Sequence, residues 1–294
     1  MKHIPPSALN YEALSALDAS QILAKDIIAN LRNITTRRIK RRTMQVKAEY
    51  DTGIWKSALE EKKWLHCGDV LEYINPQDEK MRVAKIENQL VHINTYDYYK
   101  FRLRFLQDLI SQYAGDEREL YELGCGVGLN IFSLALAGRW ERLVGLDISE
   151  NAVEAAQEAA EHFHRSDLHF GTLDLLNGDD ANFKQLQGKV VFTYYCLEQL
   201  KYSTATVIRN IIDSGVKRVI HIEPTIELLQ IWKAKDLVNY LYSVRMDYQN
   251  NLVTTLRTFE KQGRIKILDL KRLYYAPTWR HDPTFVCWEP IAPL

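Results

Sequence analysis

The segment YELGCGVGLN, residues 121–130, sets a carboxylate, Glu122, two positions ahead of three alternating glycines, Gly124, Gly126 and Gly128. Glycine adopts positive φ and leaves the backbone bare, so such a turn lets another molecule lie directly against the chain. A second carboxylate, Asp147 in VGLDIS, ends the next apolar run, at about the interval where a ribose diol is received in nucleotide-binding folds. Asp174 follows a third run in FGTLDLL, and a fourth run ends in YYCLEQL. A fifth, VIHIEPT, puts His221 and Glu223 two residues apart, hence on one face of a strand. The turn contains neither Arg nor Lys, which suits a ligand without phosphate. Asp147 offers a diol two acceptor oxygens, and Glu122 with the face of Tyr195 suits a cationic group.

These residues need a scaffold, and the pattern from residue 119 onward supplies one. LYELG, RLVGLDI, LHFGTLD, KVVFTYY and VKRVIHIEP read as strands. Helical stretches separate most of them, including ENAVEAAQEAAEHFH, for which Ser149 is the expected N-cap. Such alternation predicts an α/β fold with a doubly wound, mostly parallel sheet. RIKILDLKRLYYA and TFVCWEP then read as an antiparallel hairpin that closes a seven-stranded sheet, after a helical insertion near 226–262. Residues 1–114 lack the alternation and read as a mainly helical extension with a small β element, leaving 115–294 as the main domain. In the extension a helix is expected from Ser7 to about Arg32, strands in DVLEYIN and MRVAKIENQLVHIN, and a helix from Tyr96 capped by Thr95.

Taken in order, the E-x-G-x-G-x-G turn, Asp147, Asp174, the CLEQL segment and the closing hairpin resemble the class I S-adenosylmethionine-dependent methyltransferases. The resemblance covers roughly residues 95–294. It implies S-adenosyl-L-methionine as cofactor, with Glu122, Gly124, Cys125, Gly126 and Gly128 around its methionine part. Asp147 and Ile148 would meet the ribose, and Asp174 and Leu175 the adenine. Tyr195 and Cys196 would stand beside the sulfonium, with Glu198 and Gln199 toward the acceptor. CLEQL looks like the L-E-H-L of many small-molecule methyltransferases, with Gln199 in place of histidine. The remaining candidates for proton handling are Glu198, His221 and Glu223, while His281 in the RHDP turn reads as solvated. Tyr96 and Tyr99 are expected to wall a substrate pocket, under a lid to which Tyr98, Tyr50 and Trp55 contribute.

Composition narrows the acceptor. The 294 residues carry 38 Lys+Arg and 38 Asp+Glu, so no overall field draws the chain to nucleic acid or an anionic membrane. The basic run Arg37, Arg38, Lys40, Arg41, Arg42 is the one feature pointing toward RNA or an acidic protein. No run approaches the roughly 20 apolar residues of a membrane span. MKHIPPSALN lacks the apolar core of a signal peptide, so a cytoplasmic protein is expected. Cys67, Cys125, Cys196 and Cys287 show no C-x-x-C spacing, so neither a metal site nor a disulfide is expected. The leading expectation is methyl transfer to an oxygen or nitrogen of a small molecule: a sugar, a peptide or a specialised metabolite. Alternatives are an RNA or protein methyltransferase using 37–42, a non-catalytic fold relative, or an NAD(P)-dependent oxidoreductase. Against the last stand the hairpin and Leu129, which occupies the third glycine position of the dinucleotide fingerprint.

Overall fold

The computed structural model describes residues 11–36, 50–75, 78–275 and 279–291. The five alternating runs fold as expected, into strands β4 (Glu119–Leu123), β5 (Arg142–Asp147), β6 (Leu168–Thr172), β7 (Val190–Tyr194) and β8 (Arg218–Pro224). With β9 (Ile265–Arg272) and β10 (Pro283–Pro290) they form one seven-stranded sheet, ordered β6-β5-β4-β7-β8-β10-β9. β10 runs antiparallel to both β8 and β9, and the other pairings are parallel. The strand order reverses between β4 and β7, and the carboxyl ends there open the crevice where ligands of such sheets bind. Glu122, the glycine turn, Tyr195 and Cys196 all stand at that point.

Helices cover the two faces. α5 (Leu129–Ala135) leaves the glycine turn directly, and α6 (Glu150–His162) follows β5 with Ser149 capping it through the N–H of Ala152. The alanines of α6 at 152, 155, 156 and 159 are fully buried, so the helix backbone lies close to the sheet. α7 (Thr204–Asp213) joins β7 to β8.

The insertion departs from the single helical stretch expected. It contains two helices, α8 (Ala234–Met246) and α9 (Leu252–Lys261). α8 ends at Asp247, which adopts φ 56, and Gln249 Oε1 accepts the N–H groups of Asn251 and Leu252. Glu227 then caps α9 from a distance, accepting the N–H groups of Val253 and Thr254. The start of α9 is satisfied partly by a residue remote in sequence, so apolar periodicity alone could not reveal the break.

In the extension, Tyr11–Ala13 form a short strand, β1, and the first helix, α1, runs Ala16–Thr35 with Ser15 as its cap. A helical turn, Tyr50–Trp55, leads into α2 (Lys56–Glu61). DVLEYIN is not a strand: Asp69 accepts the Glu72 N–H and starts the short helix α3 (Val70–Ile74). β2 (Met81–Ile86) and β3 (Gln89–Asn94) form a hairpin through Glu87 and Asn88, both at positive φ, and β1 joins β3 to make a three-stranded antiparallel sheet. Asn94 caps α4 (Thr95–Ala114), one residue earlier than expected. The basic run at 37–42 lies outside the described residues. No helix among those described is long and apolar enough to cross a membrane.

Candidate active site

The glycine turn is shaped by what presses on it. Gly124, Gly126 and Gly128 all adopt positive φ. A Cβ on Gly124 would overlap Cys196 Sγ and come within 2.7 Å of Cys196 Cβ, and one on Gly128 would meet Phe170 at 2.6 Å. The turn and the segment after β7 therefore touch backbone to side chain, which makes Cys196 a packing residue at the cleft floor.

Asp147 organises the next wall. Its carboxylate accepts the N–H of Gly126 at 2.7 Å and that of Ser149 at 2.9 Å, tying the end of β5 to the turn. Each carboxylate oxygen has more than one lone pair, so this anchoring is compatible with a diol at the same group. Ile148 beside it is half-buried. Asp174 is also half-buried and accepts the Leu176 N–H, while Asp180 holds the Asp174 N–H, so this acidic loop is rigidly turned next to buried Leu173 and Leu175.

Glu122 is fully buried. Its Oε1 accepts from Asn130, which in turn accepts from Arg102 of α4, whereas Oε2 has no hydrogen-bond partner in the protein. Burial raises its pKa to about 8, against lowering by the Asn130 hydrogen bond and the Arg102 charge. Arg102 also donates to Tyr194 and lies 5.1 Å from that ring. Sequence reasoning passed over Arg102 and Asn130. Both sit inside helices, where nothing in the local pattern marks them as functional.

Past β7, Tyr195 is a non-glycine residue at φ 53, a strained conformation of the kind found at functional sites. Its hydroxyl donates to the His281 carbonyl at 2.8 Å. Contrary to expectation, His281 is 6% exposed, because α8 and the segment following it close over the RHDP turn. The imidazole stacks on Tyr248 at 4.7 Å and has Tyr195 and Tyr242 edge-on at 5.4 Å each. Its Nε2 lies 3.3 Å from Glu198 Oε2, and Glu198 is likewise 6% exposed, with its other oxygen accepting from Gln199. The two groups stand close enough to form an ion pair when the imidazole is protonated.

The other candidates lie elsewhere. His221 is fully buried between Thr193, whose hydroxyl is 2.9 Å from Nδ1, and Trp288, and burial lowers its pKa to about 3. It belongs to the protein interior, with the side chains of Thr193 and Trp288 packed against its ring. Glu223 Oε1 accepts the Cys196 N–H, so this carboxyl braces the turn after β7. Burial lifts its pKa to about 7. Tyr96 lines a separate groove of about 220 Å³ with Asp69, Leu71, Glu72 and Asn75, Tyr98 is core, and Tyr99 packs beside Tyr98 and Arg102. No metal-binding cluster occurs among the described residues, and all four cysteines are free thiols.

Comparison with known proteins bears on the domain and its fold. Residues 121–214 match the family model of a methyltransferase domain. Curated relatives include tRNA/tmRNA (uracil-C(5))-methyltransferases of Shewanella sp. (strain W3-18-1), 26% identical over 157 residues, and Shewanella piezotolerans (strain WP3 / JCM 13877), 28% identical over 132. The alignments take in 52% and 43% of this chain but only 41% and 34% of those relatives, so the chain spans less than half their length. Among solved structures, magnesium protoporphyrin IX methyltransferase from Synechocystis PCC 6803 with bound S-adenosylmethionine aligns at TM-score 0.50 and 15% identity, covering 85% of this chain and 97% of that one. The [4+2]-cyclase SpnF aligns at TM-score 0.53 and 14% identity, covering 83% and 95%. A cyclase on the same fold illustrates that architecture alone does not choose the reaction. The sheet order and glycine turn define the class I fold. The chain carries a methyltransferase domain of the S-adenosylmethionine-dependent type.

Glu122 gives this assignment a titration signature. At pH 7 its raised pKa keeps it protonated in the free protein, and the ammonium of a methionine moiety would favour the carboxylate. S-adenosylhomocysteine should therefore bind with release of up to one proton, read by calorimetry in phosphate against Tris, and Glu122→Gln should abolish the release. The same shift carries a stability consequence. Between the ordinary value of 4.5 and about 8 the native state holds a proton that the unfolded chain has lost. Stability should thus fall as pH rises through that window, less steeply in Glu122→Gln.

Proposed function

We propose that this protein transfers a methyl group from S-adenosylmethionine to an oxygen or nitrogen of a small molecule. The observation that carries the reading is the enclosure of Glu198, which is 6% exposed beside His281, with Tyr242 and Tyr248 packed on that imidazole. A folded RNA needs an exposed basic surface at the reacting end, whereas a compact acceptor suits enclosed aromatic surroundings.

The fit of the cofactor rests on the cleft itself. Glu122 Oε2 is a buried carboxyl oxygen with no hydrogen-bond partner in the protein, Asp147 ends β5 against the turn, and no cationic side chain belongs to the turn. When bound, S-adenosylmethionine supplies a methyl group already activated by its sulfonium. The protein's own tasks are then alignment, exclusion of water and custody of a proton. Asp147 and the turn fix position, Tyr195, Tyr242 and Tyr248 keep water out, and His281 receives a proton from the acceptor with Glu198 stabilising the resulting imidazolium.

Cysteine chemistry supports oxygen or nitrogen over carbon. Methylation at a pyrimidine C5 requires a nucleophile such as thiolate to add to the ring and activate the carbon. Burial raises the pKa of Cys125, Cys196 and Cys287, and it also raises that of Cys67, with Glu72 and Asp69 adding to the effect. None of the four is poised as a thiolate. The curated relatives favour a second reading, RNA methylation, with the basic residues 37–42 as its contact.

The test supplies methyl-tritiated cofactor with phenols, amino sugars, short peptides and bulk tRNA. Label is expected in the small-molecule fraction, undiminished after iodoacetamide treatment or in Cys196→Ala. His281→Asn should slow transfer by about a hundredfold. Label at uracil C5 of tRNA, lost on thiol alkylation, would replace this reading with the second.

A further inference from the structure

Gly126 is covered by an indole. A Cβ built on this glycine would lie 2.8 Å from Trp55 Cζ2 and 3.0 Å from Cη2, so the ring rests directly on the bare face of the turn. Trp55 ends the helical turn before α2, well outside the matched domain at 121–214. It is partly buried against the core cluster that includes Val127 and Ala156, as are Ala58 and Leu59 of α2. The segment is pinned to α6, the helix following the ribose-end strand, by Lys62 Nζ and Glu158 Oε2 at 2.5 Å. That bridge is partly solvent-exposed on both sides, the kind of tie that contributes little to stability.

A ligand that lies along the glycine turn must meet the indole that rests on Gly126. We propose that Trp55 is a wall of the cofactor site: its ring shifts to admit the cofactor and packs against it. The wall is chemically apt. Indole is the aromatic face that best attracts a cation, and the cofactor carries a sulfonium and an ammonium. Its removal from water also shields the transferring group. This inference rests on the cofactor reading above.

The experiment uses the full chain labelled with 5-fluorotryptophan and S-adenosylhomocysteine as probe. The sequence has six tryptophans, and Trp55→Phe assigns the Trp55 fluorine line. At saturation, verified by calorimetry, the Trp55 line is expected to move while those of Trp288, fully buried in the sheet, and Trp232, on the surface, stay put. Trp55→Ala should exchange ligand faster in both directions by surface plasmon resonance, with dissociation about tenfold quicker for the loss of one aromatic contact. Trp55→Phe keeps a ring and should stay close to wild type. An unmoved Trp55 line at calorimetric saturation, or unchanged rates in Trp55→Ala with its melting temperature intact, would overturn the wall. Absence of any binding heat with no line moving would instead remove the cofactor reading on which it rests.

Discussion

Asp147→Asn is expected to weaken S-adenosylhomocysteine binding by about a hundredfold, the scale of losing two hydrogen bonds to a charged acceptor. The wild-type carboxylate already accepts from Gly126 and Ser149, so it is fixed in place before ligand arrives. The asparagine side chain fits the same space but carries one acceptor oxygen and an amide that repels one of the two N–H groups. Thermal unfolding with ligand at a hundred times the wild-type Kd gives a direct reading. The wild type should gain about 2.7 kcal/mol, and the variant only about 0.4 kcal/mol. Circular dichroism without ligand separates this from misfolding. Equal gains in the two proteins would reject Asp147 as the diol ligand.

Among glycine-to-alanine changes at the described residues, Gly124→Ala should be the most damaging, costing on the order of 3 kcal/mol. Two effects add. The residue sits at φ +77, and its Cβ would overlap the Cys196 side chain. Cys196 cannot easily move away, because its N–H is held by Glu223 at 3.0 Å. Urea unfolding should show a fall in midpoint at unchanged slope. Cys196→Gly in the same chain removes the collision and should recover the steric part, leaving only the backbone strain. The two sites must therefore couple, and a double-mutant cycle with additive effects would show that the close approach does not govern stability.

Much of this protein is legible in its residues. The five strands, the closing hairpin and the Ser149 cap follow from apolar runs bounded by turn residues, signals that lie within ten residues of where they act. The glycine turn and Asp147 are legible for the same reason, since a positive φ and a strand end are local properties. DVLEYIN failed because so short a stretch, with Val70, Leu71, Tyr73 and Ile74 around Glu72, fits a strand or a short helix equally, and only the Asp69 cap decides. The break between α8 and α9 was hidden because Glu227, some 26 residues away in the chain, supplies the cap.

The pairing of His281 with Glu198 lay beyond sequence reading. His281 reads as a solvated turn residue among Arg280, Asp282 and Pro283. Burial is instead imposed by elements remote in sequence: Asp26 of α1 pairs with Arg280, and Lys85 of β2 holds Asp282 at 2.6 Å. Those two ion pairs, with Tyr242 and Tyr248 packed over the ring, bring His281 to Glu198 across 83 residues of chain. His221 shows the reverse: a favourable strand end on paper, but Thr193 and Trp288 pack against the ring and bury it. The sequence by itself determined the sheet and the glycine turn with Glu122 and Asp147 at strand ends beside it, because local conformation and periodicity encode them. Tertiary structure alone decided which imidazole meets a carboxylate and which indole covers Gly126, because those contacts depend on where distant segments pack.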